Sequence, residues 1–251
     1  MSTLQTLHAA LTERRLLKVI AGIENFDRAA VVAIARAAAA GGAQAIDIAA
    51  DADLIQAVKA AAPQLVVFVS STEPAKLVEA AAAGADVLEL GNFDALYRKD
   101  VHPTKVEILN WTKAIKAGAA NTPLCVTVSG HLPLAQQLEL AMELQAMGVD
   151  ILQTEGQVGP ESEDTFAALS GAISALGNTA EIRKVVSLPL LLAGGFNRVS
   201  APFALAAGAD ALGVGKAVTR LADEAAMAVE VRALVAALDA VHAAGKGLAR
   251  V

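Results

Sequence analysis

Two glycine-rich segments near the C-terminus are the sharpest chemical signal in this sequence. They are Ala193-Gly194-Gly195-Phe196 and Gly213-Val214-Gly215-Lys216, and a helical pattern follows each. Glycine lets backbone N–H groups approach an anion closely, and a helix N-terminus favours negative charge. Glycines at these positions could also serve only tight turns, and Lys216 could be a solvated lysine. Taken as a pair, the segments predict a phosphate site built from Gly194, Gly195, Gly215 and Lys216.

A second signal is a set of polar side chains inside short apolar runs. Leu17-Lys18-Val19 and Leu88-Glu89-Leu90 are two examples in which a polar residue lies between apolar ones. Successive side chains of a strand point to opposite faces, so the polar residues face away from the apolar, helix-packed side. By this alternation the inward-facing polar residues are Lys18, Asp47, Glu89, Thr127, Ser129, Gln153 and Glu155, while Ser70 and Ser71 are ambiguous.

These inward-facing charges have two interpretations. Buried charge is costly unless it is paired, so Lys18 could form a structural ion pair with Asp47 or Glu89. Alternatively, a desolvated lysine with a lowered pKa can form an imine or move a proton, and a carboxyl group can act as acid or base. Lys18 lies several residues before the end of its run, so we expect it one layer below the site. Glu89, Gln153 and Glu155 lie closer to the expected catalytic face.

Histidines and other polar residues complete the candidate set. His131 follows the run that ends at Ser129, where it could be a general acid or base or a loop residue bonded only to backbone. The other histidines are scattered without metal-ligand spacing, so we predict no metal. Asn25 and Asp27 are expected to cap a helix, and Asn92 and Asp94 could either cap or act in the site. The predicted catalytic residues are Lys18, Asp47, Glu89, His131, Gln153 and Glu155.

Eight short apolar runs, each followed by an alanine-rich segment of helical spacing, must position these side chains. We predict strands at residues 16–22, 45–50, 65–70, 86–90, 124–129, 150–154, 189–193 and 210–215. Eight units in 251 residues give about 31 residues each, the size of a βα unit in a (β/α)₈ barrel.

The boundaries between the units alternate in kind. A glycine turn precedes each even strand, at Gly42, Gly84, Gly148 and Gly208, and a proline precedes three odd strands, at Pro63, Pro123 and Pro189. This two-unit repeat favours a closed barrel over an open sheet. We therefore predict a single α/β TIM-barrel domain over residues 1–251, with an N-terminal helix at 1–15. Its long loops at 91–103 and 155–163 would be lid candidates on the catalytic face.

Composition limits the setting of the protein. The mean hydropathy is +0.50, but the most apolar stretch, 29–50, is interrupted by Arg36, Gln44 and Asp47, so we expect no membrane partner. The N-terminus lacks an apolar signal core, and the single cysteine, Cys125, excludes an internal disulfide. Because the net charge is −6 and the sequence has no basic cluster, we expect no nucleic-acid partner. The missing signal core and the single cysteine predict a cytoplasmic location. The oligomeric state stays open, a homo-oligomer included.

Several segments together resemble a known family. They include Lys18-Val19-Ile20-Ala21-Gly22-Ile23-Glu24-Asn25-Phe26-Asp27, Val69-Ser70-Ser71-Thr72-Glu73-Pro74, Glu89-Leu90-Gly91-Asn92-Phe93-Asp94 and Gln153-Thr154-Glu155-Gly156. The chain resembles the cyanobacterial and plastid family named after the twenty-third hypothetical chloroplast open reading frame. The resemblance runs from about Lys18 to beyond Arg232 and implies an aldolase-type barrel without implying a reaction. It also implies a proline immediately before His131, where this chain has Gly130.

Three functions fit these residues. The first is a lyase, isomerase or synthase that acts on a small phosphorylated metabolite and needs no cofactor. The second is an oxidoreductase that holds the phosphate of flavin mononucleotide (FMN) on the same glycines; the aromatic content of only 3% offers few ring contacts for it. The third is a non-catalytic barrel that binds a phosphorylated ligand or supports an assembly.

Overall fold

Eight parallel strands close into a barrel in chain order, with β8 paired to β1. The computed structural model describes residues 3–156 and 165–248. The strands are β1 Leu16–Gly22, β2 Ala45–Ala49, β3 Val66–Ser71, β4 Val87–Leu90, β5 Leu124–Val128, β6 Ile151–Thr154, β7 Leu190–Ala193 and β8 Ala211–Val214. Each predicted strand is found within one residue of its predicted ends, and the predicted (β/α)₈ TIM barrel is confirmed.

Helices follow every strand and one precedes the first. They are α1 Thr3–Thr12, α2 Arg28–Gly41, α3 Ala52–Ala61, α4 Pro74–Ala82, α5 Asp94–Tyr97, α6 Lys105–Gly118, α7 Leu134–Ala146, α8 Thr165–Arg183, α9 Ala201–Ala206, α10 Lys216–Thr219 and α11 Glu224–Leu248. Within residues 3–156 and 165–248, no helix combines the length and the apolar character needed to cross a bilayer.

Local signals in the sequence account for where these helices begin and end. Asp27 accepts hydrogen bonds from the first N–H groups of α2, and Thr104 forms a capping box with Glu107 at the start of α6. Ser200 precedes α9 but makes no side-chain cap bond. The four glycines before the even strands all have left-handed backbone, at φ 91° (Gly42), 95° (Gly84), 72° (Gly148) and 98° (Gly208).

The strands separate two apolar cores. Outward-facing residues such as Leu17, Ile46 and Leu88 pack against the surrounding helices in the larger core. Inward-facing residues such as Leu16 and Phe68 form a smaller core inside the barrel. Leu7, Ala10 and Leu11 of α1 belong to this inner core, so α1 closes the N-terminal end of the barrel. The polar residues that remain inside must therefore lie toward the other end.

Candidate active site

Lys18 lies fully buried at the centre of the barrel. Its Nζ donates to Glu89 Oε2 from β4 and, at 2.9 Å, to Gln153 Oε1 from β6; it also lies 4.9 Å from the ring centroid of Phe68. Gln153 Nε2 in turn donates to Thr127 Oγ1 at 3.1 Å. Lys18 thus ties β1, β4 and β6 together across the barrel, as the ion-pair interpretation requires.

The electrostatics of Lys18 differ from what imine chemistry needs. Burial lowers the pKa of Lys18, but the negative charges of Glu89 and Asp47 outweigh it, and the net pKa is raised. Of the two interpretations of Lys18, the raised pKa favours the ion pair, because the two carboxyl groups outweigh the effect of desolvation. A protonated Lys18 is not a nucleophile. It is a fixed positive charge beneath the site.

Asp47 forms a second cluster, with residues of β3 and the loop after β4. Ser70 Oγ donates to Asp47 Oδ1, and Asn92 Nδ2 donates to Asp47 Oδ2 at 2.8 Å and to Ser70 Oγ at 3.0 Å. Burial and then the charge of Glu89 raise the pKa of Asp47 to about 7. The ambiguity in β3 is thereby resolved: Ser70 points inward, whereas Ser71 Oγ accepts from Glu73 N ahead of α4.

Glu155 lies at the C-terminal end of β6, almost completely buried, and is the best-placed acid–base group of the set. Its Oε1 accepts from Tyr97 Oη at 2.6 Å and from Gly130 N at 3.1 Å, and Ser129 Oγ lies 2.7 Å from the same phenol oxygen. Burial raises the pKa of Glu155 to about 7. Gly130 takes the position where the resemblance implies proline, which has no N–H to donate.

Tyr97 reaches Glu155 because the segment after β4 folds over the barrel mouth. We call residues 91–104, which include α5, the β4 strap. Arg98 and Lys99 of the strap form ion pairs with Glu24 in the loop after β1, at 2.9 and 3.0 Å. Strands β1 and β4 lie on different sides of the barrel, so these pairs bridge the mouth. One of the two lid candidates thus lies over the site; of the other, residues 157–163 lie outside the described residues.

A cluster of three aromatic rings joins the strap to the loop after β5. The ring of His131 lies 4.0 Å from that of Tyr97 and 4.9 Å from that of His102, centroid to centroid. His102, which the sequence alone placed only in a loop, therefore belongs to the mouth of the barrel. His131 lies beside the Tyr97–Glu155 pair, within the set of residues that can move a proton.

The predicted phosphate residues lie together at the ends of β7 and β8. Gly194 and Gly195 have left-handed backbone, at φ 130° and 74°. A Cβ added to Gly194 would lie 3.6 Å from Gly156 N, and one added to Gly215 would lie 3.5 Å from Ile20 O. The backbone at Gly194 therefore lies close to the end of β6, and the backbone at Gly215 lies close to β1, with no side chain between them. Lys216 is exposed at the start of α10.

The helices after these glycines differ from expectation. The first, α9, begins at Ala201, six residues after Gly195, and α10 has only 4 residues. A helix dipole adds little in so short a helix, so an anion here would be held mainly by individual N–H groups. Across residues 3–156 and 165–248, no three His, Cys, Asp or Glu side chains are grouped so as to hold a metal ion.

Sequence reasoning found the strand residues of this site and missed its strap residues. The alternation of apolar and polar residues identified Lys18, Asp47, Glu89, Gln153 and Glu155, and the fold brings them into one barrel interior. Tyr97 and His102 follow no periodic pattern. One available signal was that Tyr97, the single tyrosine of the chain, lies in a long loop at the catalytic end.

Two relatives are similar in sequence to this chain over most of its length. The chain is 36% identical over 214 residues to uncharacterized protein ycf23 of Cyanophora paradoxa, covering 84% of this chain and 87% of that protein. It is 34% identical over 226 residues to uncharacterized protein ycf23 of Antithamnion sp., covering 86% and 81%.

Two solved structures with the same fold are a pyrophosphorylase and a synthase. Thiamine phosphate pyrophosphorylase from Pyrococcus furiosus superposes with a TM-score of 0.63 at 23% identity, covering 92% of this chain and 98% of that one. The 3-hexulose-6-phosphate synthase from Salmonella typhimurium superposes with a TM-score of 0.65 at 19% identity, covering 90% and 100%. The family model described as "Protein of unknown function (DUF561)" matches residues 1–244, and the chain belongs to that family.

Proposed function

We propose that this protein is an enzyme that binds a small phosphorylated metabolite at the C-terminal face of the barrel and moves a proton on it, as a lyase, isomerase or synthase does. The observation that carries the proposal is Glu155. It is a buried carboxyl group at the mouth of the barrel, oriented by Tyr97 and Gly130, and its pKa of about 7 lets it take up and release a proton at neutral pH.

The phosphate end of the ligand would bind the glycines at the ends of β7 and β8. Gly194, Gly195 and Gly215 leave their backbone unshielded there, and Lys216 adds a positive charge at the rim. Barrels of this kind commonly hold phosphate at this place. The similarity in fold to two enzymes named for phosphate esters supports a ligand of this class.

The remaining polar residues divide into two groups. Asp47, held by Ser70 and Asn92, is a second carboxyl group with a pKa of about 7 and would bind the reacting end of the ligand. Lys18 and Gln153 lie beneath, where the ion pair of Lys18 with Glu89 would form the floor of the site. Tyr97 would position Glu155. His131, beside Tyr97, is a further candidate for proton transfer.

The phosphate site is tested with a matched pair of glycine substitutions. Gly195→Ala and Gly148→Ala both place alanine on left-handed backbone, at φ 74° and 72°, so each costs roughly 1–2 kcal/mol of stability. Only Gly195 belongs to the proposed cradle. Calorimetric titration with inorganic phosphate should show binding that Gly195→Ala weakens and Gly148→Ala preserves. Equal affinities in the two variants would reject the cradle.

The chemistry is tested by proton exchange. Ketose phosphates incubated with the enzyme in D₂O should gain deuterium beside the carbonyl, as followed by NMR, and Glu155→Gln should abolish the gain. No exchange with triose, pentose or hexose phosphates would contradict the acid–base proposal. A purified protein that is yellow from bound FMN would favour the oxidoreductase alternative.

A further inference from the structure

The inward-facing polar residues of the barrel are strongly unbalanced in charge. Asp47, Glu89 and Glu155 supply three carboxyl groups, and Lys18 is the one cation among the inward-facing residues of the eight strands, all of which lie in the described part of the chain. Lys18 is already bound to Glu89 and Gln153. A ligand group that enters this space therefore meets carboxyl groups before it meets an ammonium group.

One buried acceptor of the interior lacks a strong donor within residues 3–156 and 165–248. Glu89 Oε2 is held by Lys18, and Glu89 Oε1 is buried without an N–H or O–H donor among the residues that the structure describes, the nearby thiol of Cys125 being only a weak donor. A buried acceptor without a donor is unfavourable, so this oxygen favours a ligand that can donate.

The groups that now contact the two titrating carboxyls show which chemistry suits them. Tyr97 donates a hydroxyl hydrogen bond to Glu155, and Asn92 donates an amide hydrogen bond to Asp47; both residues come from the β4 strap. Ligand hydroxyls could replace these donors when the strap lifts. A carboxylate could not, because an ionised carboxylate only accepts.

Cations at the mouth are also engaged. Arg98 is ion-paired with Glu24 and Asp94, and Lys99 with Glu24. Lys216 lies with the glycines of the proposed phosphate cradle. The positive charge near the ligand is thus placed at one end, where the phosphate would bind.

We propose that the ligand carries its phosphate at one end and neutral hydroxyl groups, without a carboxylate, at the reacting end. This inference rests on the proposed function and narrows its substrate class to polyol and sugar phosphates, excluding phosphorylated acids. The physical reason is twofold: the interior carboxyls repel a second anion, and their lone pairs require donors that hydroxyl groups have and carboxylates lack.

Two ligands that differ in one group test this inference. Glycerol 3-phosphate and 3-phosphoglycerate share a three-carbon chain, a hydroxyl group and a phosphate ester, and differ in a terminal CH₂OH against a carboxylate. Calorimetric titration at pH 8 should give glycerol 3-phosphate at least about 10-fold tighter binding. Inorganic phosphate is titrated in parallel to report on the cradle alone.

Isosteric variants locate the origin of the preference. Asp47→Asn and Glu155→Gln each remove a negative charge without changing the shape of the side chain. Each should therefore improve 3-phosphoglycerate binding and reduce the ratio by which glycerol 3-phosphate binds more tightly than 3-phosphoglycerate. Glu139→Gln, at an exposed position on α7, should leave the preference unchanged.

The outcomes separate the inference from the proposed function. Equal or tighter binding of 3-phosphoglycerate overturns the inference alone, as does glycerol 3-phosphate binding no tighter than inorganic phosphate. No binding of any of the three compounds overturns the phosphate site and, with it, the proposed function.

Discussion

Glu155 and Asp47 make the stability of this protein depend on pH in an unusual direction. Both carboxyl groups are buried, and in both the pKa is about 7 in the folded chain, against 4.5 and 3.8 for the ordinary side chains. Between those values an unfolded chain has released protons that the folded chain still holds. Stability from these groups is therefore complete below about pH 4 and is lost as the pH rises through 7.

The substitution Glu155→Gln isolates one of these contributions. Urea unfolding at pH 5 and pH 8 should show that the variant loses about 2.5 kcal/mol less stability over this interval than the unmodified protein, because glutamine does not titrate. Exposed Glu139→Gln serves as the control and should keep the original pH dependence. A Glu155→Gln variant with that same dependence would show that Glu155 titrates normally.

The pairing of Lys18 with Glu89 can be measured by a double-mutant cycle. Lys18→Met leaves the buried Glu89 carboxylate uncompensated and should cost about 3–5 kcal/mol of unfolding free energy. In Lys18→Met/Glu89→Gln the uncompensated charge is gone, so much of that loss should be recovered. The single variant Glu89→Gln completes the cycle. If the double variant loses as much unfolding free energy as the two single variants together, the two side chains do not stabilise each other.

Among the elements, the β4 strap is the one that lies over the mouth of the barrel. It is held by the partly buried hydrogen bond from Tyr97 to Glu155, by the ring contacts of Tyr97 with His102 and His131, and by exposed ion pairs to Glu24. Exposed ion pairs contribute little, whereas a hydrogen bond to a buried carboxyl group contributes more. The strap should therefore depend on Tyr97 more than on Glu24.

Amide hydrogen exchange tests this order of importance. Tyr97→Phe keeps the ring but loses the hydroxyl, and exchange in residues 94–101 should become about 10-fold faster. Glu24→Gln should change the same amides by only a few-fold. The opposite order would show that the ion pairs across the mouth hold the strap closed. Exchange in α2, whose amides lie outside the strap, should be unaffected in Tyr97→Phe.

At the scale of the whole molecule, the two ends of the barrel have different tasks. Apolar residues and α1 close the N-terminal end, while the carboxyl groups, the strap and the glycines lie toward the C-terminal end. Removing apolar volume at the N-terminal end should therefore lower the free energy of unfolding without changing ligand binding at the C-terminal end.

Two leucines of α1 provide a matched test. Leu7 is buried against the inner core and Leu4 is exposed on the same helix. Leu7→Ala should cost about 2–5 kcal/mol in urea unfolding, and Leu4→Ala should cost much less. Neither should alter the affinity for inorganic phosphate. A change in phosphate affinity with Leu7→Ala would show that the two ends are coupled.

The sequence by itself determined the strands, their inward-facing residues and the glycine boundaries. Each depends on local physics: strand side chains alternate with a period of two, and a left-handed helix end favours glycine at positions such as Gly42 and Gly148. These rules act over a few residues, so they can be read from a single chain. They placed Lys18, Asp47, Glu89 and Glu155 inside the barrel.

The tertiary structure alone decided which of these groups meet. Lys18 lies 71 residues from Glu89, and Tyr97 lies 58 residues from Glu155. Such pairs depend on the register of eight strands and on the path of a loop that has no periodic pattern. Burial beside two carboxyl groups then set the pKa of Lys18 in the direction opposite to the one that desolvation alone predicts. Long-range packing, which local sequence does not encode, thus decided the chemistry of the interior.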